Sequence, residues 1–396
     1  MNKRLGHFLF LNVGHLYDHL FMLLYPTVVL SLEKDPIFAG GYGALITLSV
    51  YGFIAFGAGA LPAGWLGDRW SRRGMMIVFF VGIGLASIFT GMAETPLGLG
   101  IGLTSIGLFA AIYHPVGIAM VASNARYLGR ELGINGVFGN LGVASAALTA
   151  GFIADAYGWR VAFIAPGVVS IITGVAYAFY VRGMDLEPVR SKESAKPKHI
   201  GKSEIIRVFG VILGATAFGT MIFNGATIGL PKIFDQRLGE LATTATDVGM
   251  WAFGVFAIAA VAQVIIGHLL DRYPLKPIFI TVALLQVPVL LIATTAVGLP
   301  MLATALAMML LVFSGIPIND TLVARYTTDA WRARVYAAKY VVGLGIASAT
   351  VPMLGMIHDA TGDFYWMFVI LAGCATMVVV CALILPGARR PVQASA

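Results

Sequence analysis

Apolar residues in this chain come in runs of about twenty or more, separated by short polar stretches. A helix needs about 20 mostly apolar residues to cross about 30 Å of hydrocarbon. The runs predict membrane-spanning helices near 7–31, 40–62, 75–93, 97–123, 133–155, 161–181, 205–230, 247–270, 277–296, 299–323, 335–357 and 364–386. Barrel strands would alternate polar and apolar at every second residue, and these runs do not. Only helices and closed barrels satisfy their backbone groups in lipid. The pattern therefore predicts an all-α polytopic membrane protein of twelve transmembrane helices. The start, basic at Lys3 and Arg4 and then apolar, has the outline of a signal peptide. That run is too long, shows no small-residue cleavage pattern and contains Asp18, so it is expected to be an uncleaved first span.

Composition agrees. The 396 residues are 59% hydrophobic and 11% charged, where soluble chains carry roughly 25% charged residues. The net charge of +7 would fit a nucleic-acid partner if the cations were clustered on one surface. They are not. With the amino terminus in the cytoplasm, 21 of the 26 Lys and Arg fall on the cytoplasmic side. Four fall outside (Lys34, Arg160, Lys232 and Arg237), and Lys339 lies within a span. This is the positive-inside distribution. It predicts a multi-pass protein of the inner membrane with both termini cytoplasmic, bound by lipid and not by nucleic acid. Cys374 and Cys381 sit seven apart in the last span, too far apart on one helix to form a disulfide.

The only long polar segment between spans, 183–204, is basic and contains proline. It is expected to be a cytoplasmic linker between an amino-terminal six-helix bundle, 1–182, and a carboxyl-terminal one, 205–396. Internal repetition supports the cut. Gly64-Trp-Leu-Gly-Asp68-Arg69 follows the second span and Gly267-His-Leu-Leu-Asp271-Arg272 the eighth, an offset of 203. Pro26 and Pro231, Pro115 and Pro317, Gly142 and Gly345, and Asp155 and Asp359 repeat at offsets of 202 to 205. Parallel six-helix repeats are a transporter architecture, with the substrate site near the midplane. In the repeated element glycine allows close helix approach. Asp68 can accept from helix-start amides and from an arginine. Arg69, Arg72 and Arg73, with Asp271 and Arg272 in the second copy, complete an expected cytoplasmic gate.

The stretch Gly64 to Arg73, GWLGDRWSRR, resembles the loop between helices two and three of the major facilitator superfamily. GHLLDRYPLK resembles its degenerate partner in the second half. Within that superfamily, Gly14-His15-Leu16-Tyr17-Asp18 with Tyr25-Pro26, and Tyr113-His114-Pro115, are similar to the fosmidomycin resistance group of efflux proteins. In place of that group's small polar and acidic residues after the proline, this chain has Val116-Gly117-Ile118. The resemblance implies alternating access by rocking of two halves.

Charged residues at membrane depth usually face a cavity or a partner. At about 100° per residue, Asn12, His15, Asp18, His19 and Tyr25 share one arc of about 140° on the first helix. Lipid would not tolerate that stripe. Asp18, with His15 one turn away, is expected to couple protons; the alternative is a structural Asp–His pair. His15, Asp18 and His19 could hold a metal, but no other cluster of ligands accompanies them in the sequence, and no metal is expected. His19, Tyr25, His114, Asn140, Asn224, Gln263, Asn319 and Lys339 are the candidate substrate-cavity residues. For His114 a packed, hydrogen-bonded role is equally open. Lys339 either attracts an anionic group or snorkels to the surface.

The glycines at 133, 136, 139 and 142 form a packing face, and no nucleotide-binding loop is found. The expected protein is a cofactor-free secondary transporter acting as a monomer. It would extrude a drug-like or anionic small molecule against protons. Uptake or exchange of an organic acid is a second carrier reading. An intramembrane enzyme or a channel is the reading from another class.

Overall fold

A computed structural model describes residues 3–38, 40–124, 128–183, 202–327 and 329–387. The linker, apart from its edges, and both extreme termini lie outside these residues, and with them most of the basic stretch at 183–204.

The described chain is helical throughout, in twelve long helices. The first half contributes α1 (Lys3–Leu32), α2 (Gly41–Arg69), α3 (Arg72–Gly91), α4 (Pro96–Ser123), α5 (Arg130–Tyr157) and α6 (Trp159–Val181). Then follow α7 (Ile206–Arg237), α8 (Ala245–Arg272), α9 (Leu275–Ala293) and α10 (Gly298–Tyr326). The last two are α11 (Asp329–Thr361) and α12 (Tyr365–Ile384). Eleven are long and apolar enough to cross a membrane. The exception is α1, whose mean hydropathy is lowered by the polar residues predicted to line a cavity. Helices start where local chemistry satisfies the first amides. Ser71 and Thr95 accept from the amides of Gly74 and Gly98 at the heads of α3 and α4, as N-caps do. Gly158, at φ 87°, makes the turn between α5 and α6.

Two boundaries lie farthest from expectation. The second helix does not stop near 62 but runs to Arg69, so the repeated Gly-x-x-x-Asp-Arg element is the last turns of a helix and not a loop. An i,i+4 pair between Asp68 and Arg72, 2.7 Å, links the end of α2 to the start of α3. The seventh helix continues through Pro231 to Arg237, where Lys232 pairs with Asp235 at 3.1 Å.

Contacts divide the chain into two compact units. The first comprises Met1–Lys192 together with Leu230–Gly254, the end of α7 and the start of α8. Here α1 packs along α5 and α3 along α6. The α3–α6 crossing is glycine to glycine: a Cβ on Gly84 would sit 2.5 Å from the Gly167 carbonyl oxygen, and one on Gly167 2.7 Å from that of Gly84. Near the end of α1 the Lys232 ammonium, with little exposure, meets Glu33 at 2.6 Å. The Asp155 carboxylate accepts from the Thr246 amide and hydroxyl at 2.6 Å each. Asp35, between α1 and α2, accepts from Trp159 Nε1 at 3.0 Å. That hydrogen bond, then one from the Ile37 amide and the charge of Arg160, holds its carboxyl below the usual range.

The second unit comprises Glu193–Gly229 and Val255–Ala396. In it α9 packs along α12 and against α10. This repeats the α3–α6 and α3–α4 contacts six helices on, as the sequence offset of about 203 residues requires. Cys374 and Cys381 are both free thiols.

Candidate functional site

The densest polar cluster in the first unit forms where α1, α4 and α5 meet. Three features of the backbone bring it together. The i,i+3,i+4 spacing puts His15, Asp18 and His19 on one side of α1. In α4, residues Tyr113–Gly117 form a turn of π-helix, which rotates the side chains after it relative to a regular helix and carries His114. On α5, Gly139 and Gly142 let the backbone approach α1: a Cβ on Gly142 would lie 2.2 Å from the Leu16 carbonyl oxygen.

The rings of His15, His19 and His114 surround one point. Their centroids are 5.0 Å (His15–His19), 5.4 Å (His15–His114) and 5.6 Å (His19–His114) apart. One ring nitrogen of each lies within 4.8 Å of the others. His15 is buried and its Nδ1 is 2.7 Å from the Asn135 carbonyl oxygen. A carbonyl only accepts, so Nδ1 carries the proton and Nε2 is bare when the ring is neutral. The Asn135 side chain donates to Asn12 Oδ1 at 2.9 Å and to the Tyr113 hydroxyl at 2.8 Å. That hydroxyl in turn donates to the Leu11 carbonyl at 2.8 Å.

Asp18 is completely buried, 0% exposed. His114 Nε2 stands 3.2 Å from its Oδ2, yet neither carboxylate oxygen accepts a hydrogen bond within the protein. The contact has ion-pair distance without hydrogen-bond direction. The sequence paired Asp18 with His15, and the structure turns His15 to Asn135 and gives Asp18 the imidazole of His114. A buried carboxylate without hydrogen bonds is costly and calls for a positive partner.

The other predicted residues are more dispersed. Tyr25 is set apart from the cluster: it is buried, and its hydroxyl donates to the Leu45 carbonyl at 2.6 Å, tying α1 to α2. Asn140 is half-buried on α5. In the second unit, Asn319 lines a cavity of about 200 Å³ with Lys339, Asp320, Gln286, Thr220 and Phe223. Lys339 reaches Asp320 at 3.1 Å; it therefore has an acidic partner that neither sequence-based role included. Asn224 and Asn319 donate to carbonyls one turn back, of Thr220 at 2.9 Å and Gly315 at 3.1 Å. Gln263 is half-buried on α8.

At the end of α2, Gly64 and Gly67 lie against Pro115 and Val116 of α4, with Cβ separations of 3.2 and 2.9 Å. This is the close approach expected of the motif. Asp68 is exposed and bonds Arg72. Arg69 lies over the Trp65 ring at 5.5 Å, and Arg73 is half-buried. In the second copy Asp271 and Arg272 are exposed at the end of α8. Among the functional candidates, Asn135 was missed. Its signal was an asparagine within an apolar span, one turn before Gly139.

A bundle of twelve helices in repeated halves, with a polar cluster at membrane depth, is an integral membrane transporter. The chain belongs to the Major Facilitator Superfamily, whose model matches residues 18–241 and 236–396. It is similar to the Multidrug resistance protein MdtG of Escherichia coli, with 26% identity over 365 residues, 89% of this chain and 87% of that one. Its fold is similar to that of a bacterial homolog of the human lysosomal transporter Spinster. The match to the inward-facing, unoccupied structure has a TM-score of 0.72 at 14% identity and covers 97% of this chain and 95% of that one. The occupied, inward-facing structure gives 0.71 at 13% identity over the same shares. Superfamily members with these names are transporters and not enzymes.

Proposed function

We propose that this transporter is a proton-coupled exporter of drug-like compounds in a bacterial inner membrane, working as a monomer by alternating access of two six-helix halves. The observation that carries the reading is the Asp18 cluster: a buried carboxylate without hydrogen bonds, among three imidazoles, at membrane depth. Such a group marks the place where a driving cation is held. The relatives named for multidrug resistance support export, as does the resemblance of the Gly14–Asp18 and Tyr113–Pro115 stretches to fosmidomycin efflux proteins. The Asp320 partner of Lys339 weighs towards drug-like over anionic cargo. The test is flux in proteoliposomes under an imposed pH gradient, across a panel of lipophilic drugs and organic acids. Gradient-driven drug movement is expected; movement indifferent to the gradient would overturn proton coupling.

Two further outcomes belong to this reading. The cation asymmetry supports a cytoplasmic position for the basic linker and both termini. Cysteines substituted at Ser194 and at Thr243 should therefore label from opposite faces. An impermeant reagent that marks Ser194→Cys from outside intact cells would reverse the topology.

The second concerns the cytoplasmic gate. Asp68–Arg72 is an exposed i,i+4 pair, a class that stabilises by only about 0.3–0.5 kcal/mol. Asp68→Asn should leave the melting midpoint within about 2 °C of wild type. Turnover should nevertheless fall strongly, because the carboxylate closes the junction between α2 and α3. Wild-type turnover in that variant would remove the gate.

A further inference from the structure

We infer that His15, His19 and His114 form a binding site for a divalent transition-metal ion of the kind that prefers imidazole nitrogen. This goes beyond the export reading and does not depend on it. Four observations carry the site.

The first is number and convergence. Three imidazoles from two helices bring one nitrogen each within 4.8 Å of the others. Ligands around a tetrahedral zinc-like ion, at about 2.0–2.1 Å from the metal, lie about 3.3 Å from one another. The difference is left to rotation of two half-buried side chains, His19 and His114.

The second is the chemistry of the set. Three neutral imidazoles crowded together direct lone pairs or N–H groups at one another, and three protonated ones repel. A divalent cation relieves both conflicts by accepting three lone pairs. Three histidines with an open fourth position are a recurrent arrangement for such ions, and imidazole favours zinc, cobalt, nickel and copper over magnesium or calcium.

The third is orientation. Ligating histidines usually donate their other ring N–H to a carbonyl or carboxylate, which fixes the tautomer. His15 does so: Nδ1 faces the Asn135 carbonyl at 2.7 Å. The Asn135 side chain is itself held by Asn12 and Tyr113. The Tyr113 ring stacks on His15 with centroids 4.9 Å apart. Gly139 leaves room for the ring, because a Cβ there would lie 2.7 Å from Nε2.

The fourth is charge. Asp18, fully buried, has neither oxygen hydrogen-bonded and stands beside His114. A carboxylate in that position compensates part of the charge of a bound dication, whichever His114 nitrogen binds it.

The experiment uses the purified full-length chain without a polyhistidine tag, titrated with Co²⁺, whose visible bands report tetrahedral nitrogen ligation, and with Zn²⁺ in competition. One equivalent per chain is expected, with a raised melting midpoint on saturation with Zn²⁺. His19→Gln and His114→Gln should each weaken Co²⁺ binding at least about 10-fold while eluting as monodisperse protein. His268→Gln, an exposed histidine on α8, should bind as wild type. If either cluster variant does not fold, the wild-type Zn²⁺ shift and the one-to-one stoichiometry decide. Wild-type binding no tighter than that of the His19→Gln/His114→Gln double variant, or no Zn²⁺ stabilisation, overturns the site. Binding is read without a gradient. A protein that pumps drugs but takes no Co²⁺ refutes only this inference, and one that takes Co²⁺ but moves nothing with the pH gradient refutes only the export reading.

Discussion

Asp18→Asn is expected to abolish gradient-driven transport, reducing pH-driven flux by more than about tenfold, to the level of empty vesicles. The reasoning is from charge and shape. The two side chains are nearly isosteric, so the packing of α1 against α4 and α5 survives. What disappears is a buried negative charge that accepts no hydrogen bond within the protein and that faces His114 at 3.2 Å. A charge at membrane depth is retained only where a partner or an ion compensates it. Without it the cluster holds no carboxylate with which to attract the driving cation. Counterflow of labelled against unlabelled substrate, which needs no net cation movement, should persist. Circular dichroism and size-exclusion profiles should match wild type. Full pH-driven flux in Asp18→Asn would make the Asp18–His114 contact structural and move the coupling group elsewhere in the chain.

Much of the architecture was legible because its signals are long. Span number came from apolar runs, and the repeat offset of about 203 residues reappears in the contacts of α9 with α12 and α10, which match those of α3 with α6 and α4. The glycine motif at 64–73 carried the family. Boundaries were less legible: α2 and α7 run seven residues past their expected ends, because polar residues at a membrane surface can stay helical when they pair with one another. Asp68 with Arg72 and Lys232 with Asp235 do so.

The site was half legible. Helical periodicity alone put Asn12, His15, Asp18 and His19 on one face, where the structure has them. Periodicity cannot say which residue on another helix meets that face. His114 was a candidate on its own, but its partnership with Asp18 depends on the π turn at Tyr113–Gly117, which has no simple sequence rule. Tyr25 shared the arc and yet packs into the α1–α2 contact, since seven residues along the helix the neighbour has changed. Lys339 and Asp320 are nineteen residues apart on different helices, and only the tertiary fold joins them. Asn135 was overlooked because one asparagine among glycines reads as tolerated polarity until its three hydrogen bonds are seen.

The glycines of α5 offer a graded test of how the site is built, and the sequence alone would treat all four alike. A Cβ at residue 133 or 136 meets nothing within 4 Å. Gly133→Ala and Gly136→Ala should therefore stabilise by up to about 1 kcal/mol, since alanine restricts the unfolded chain and favours helix. At residue 139 the Cβ would lie 2.7 Å from His15 Nε2 and Cε1. The obstacle is the end of a side chain, so the ring moves aside. Gly139→Ala should fold with a modest loss of stability, but its displaced His15 should impair transport. At residue 142 the Cβ would lie 2.2 Å from the Leu16 carbonyl oxygen and 3.1 Å from the His19 Cβ. Backbone cannot step aside without parting α1 from α5, and overpacking of a tight contact commonly costs about 1–3 kcal/mol even where side chains can adjust. Gly142→Ala should thus give the largest fall in melting midpoint of the four, with most of the protein lost from the monodisperse peak. The measurement is thermal unfolding of the four single variants in one detergent, alongside pH-driven flux. A Gly142→Ala protein as stable as Gly136→Ala would mean that α1 and α5 do not meet at this glycine, and the cluster built on their contact would have to be redrawn.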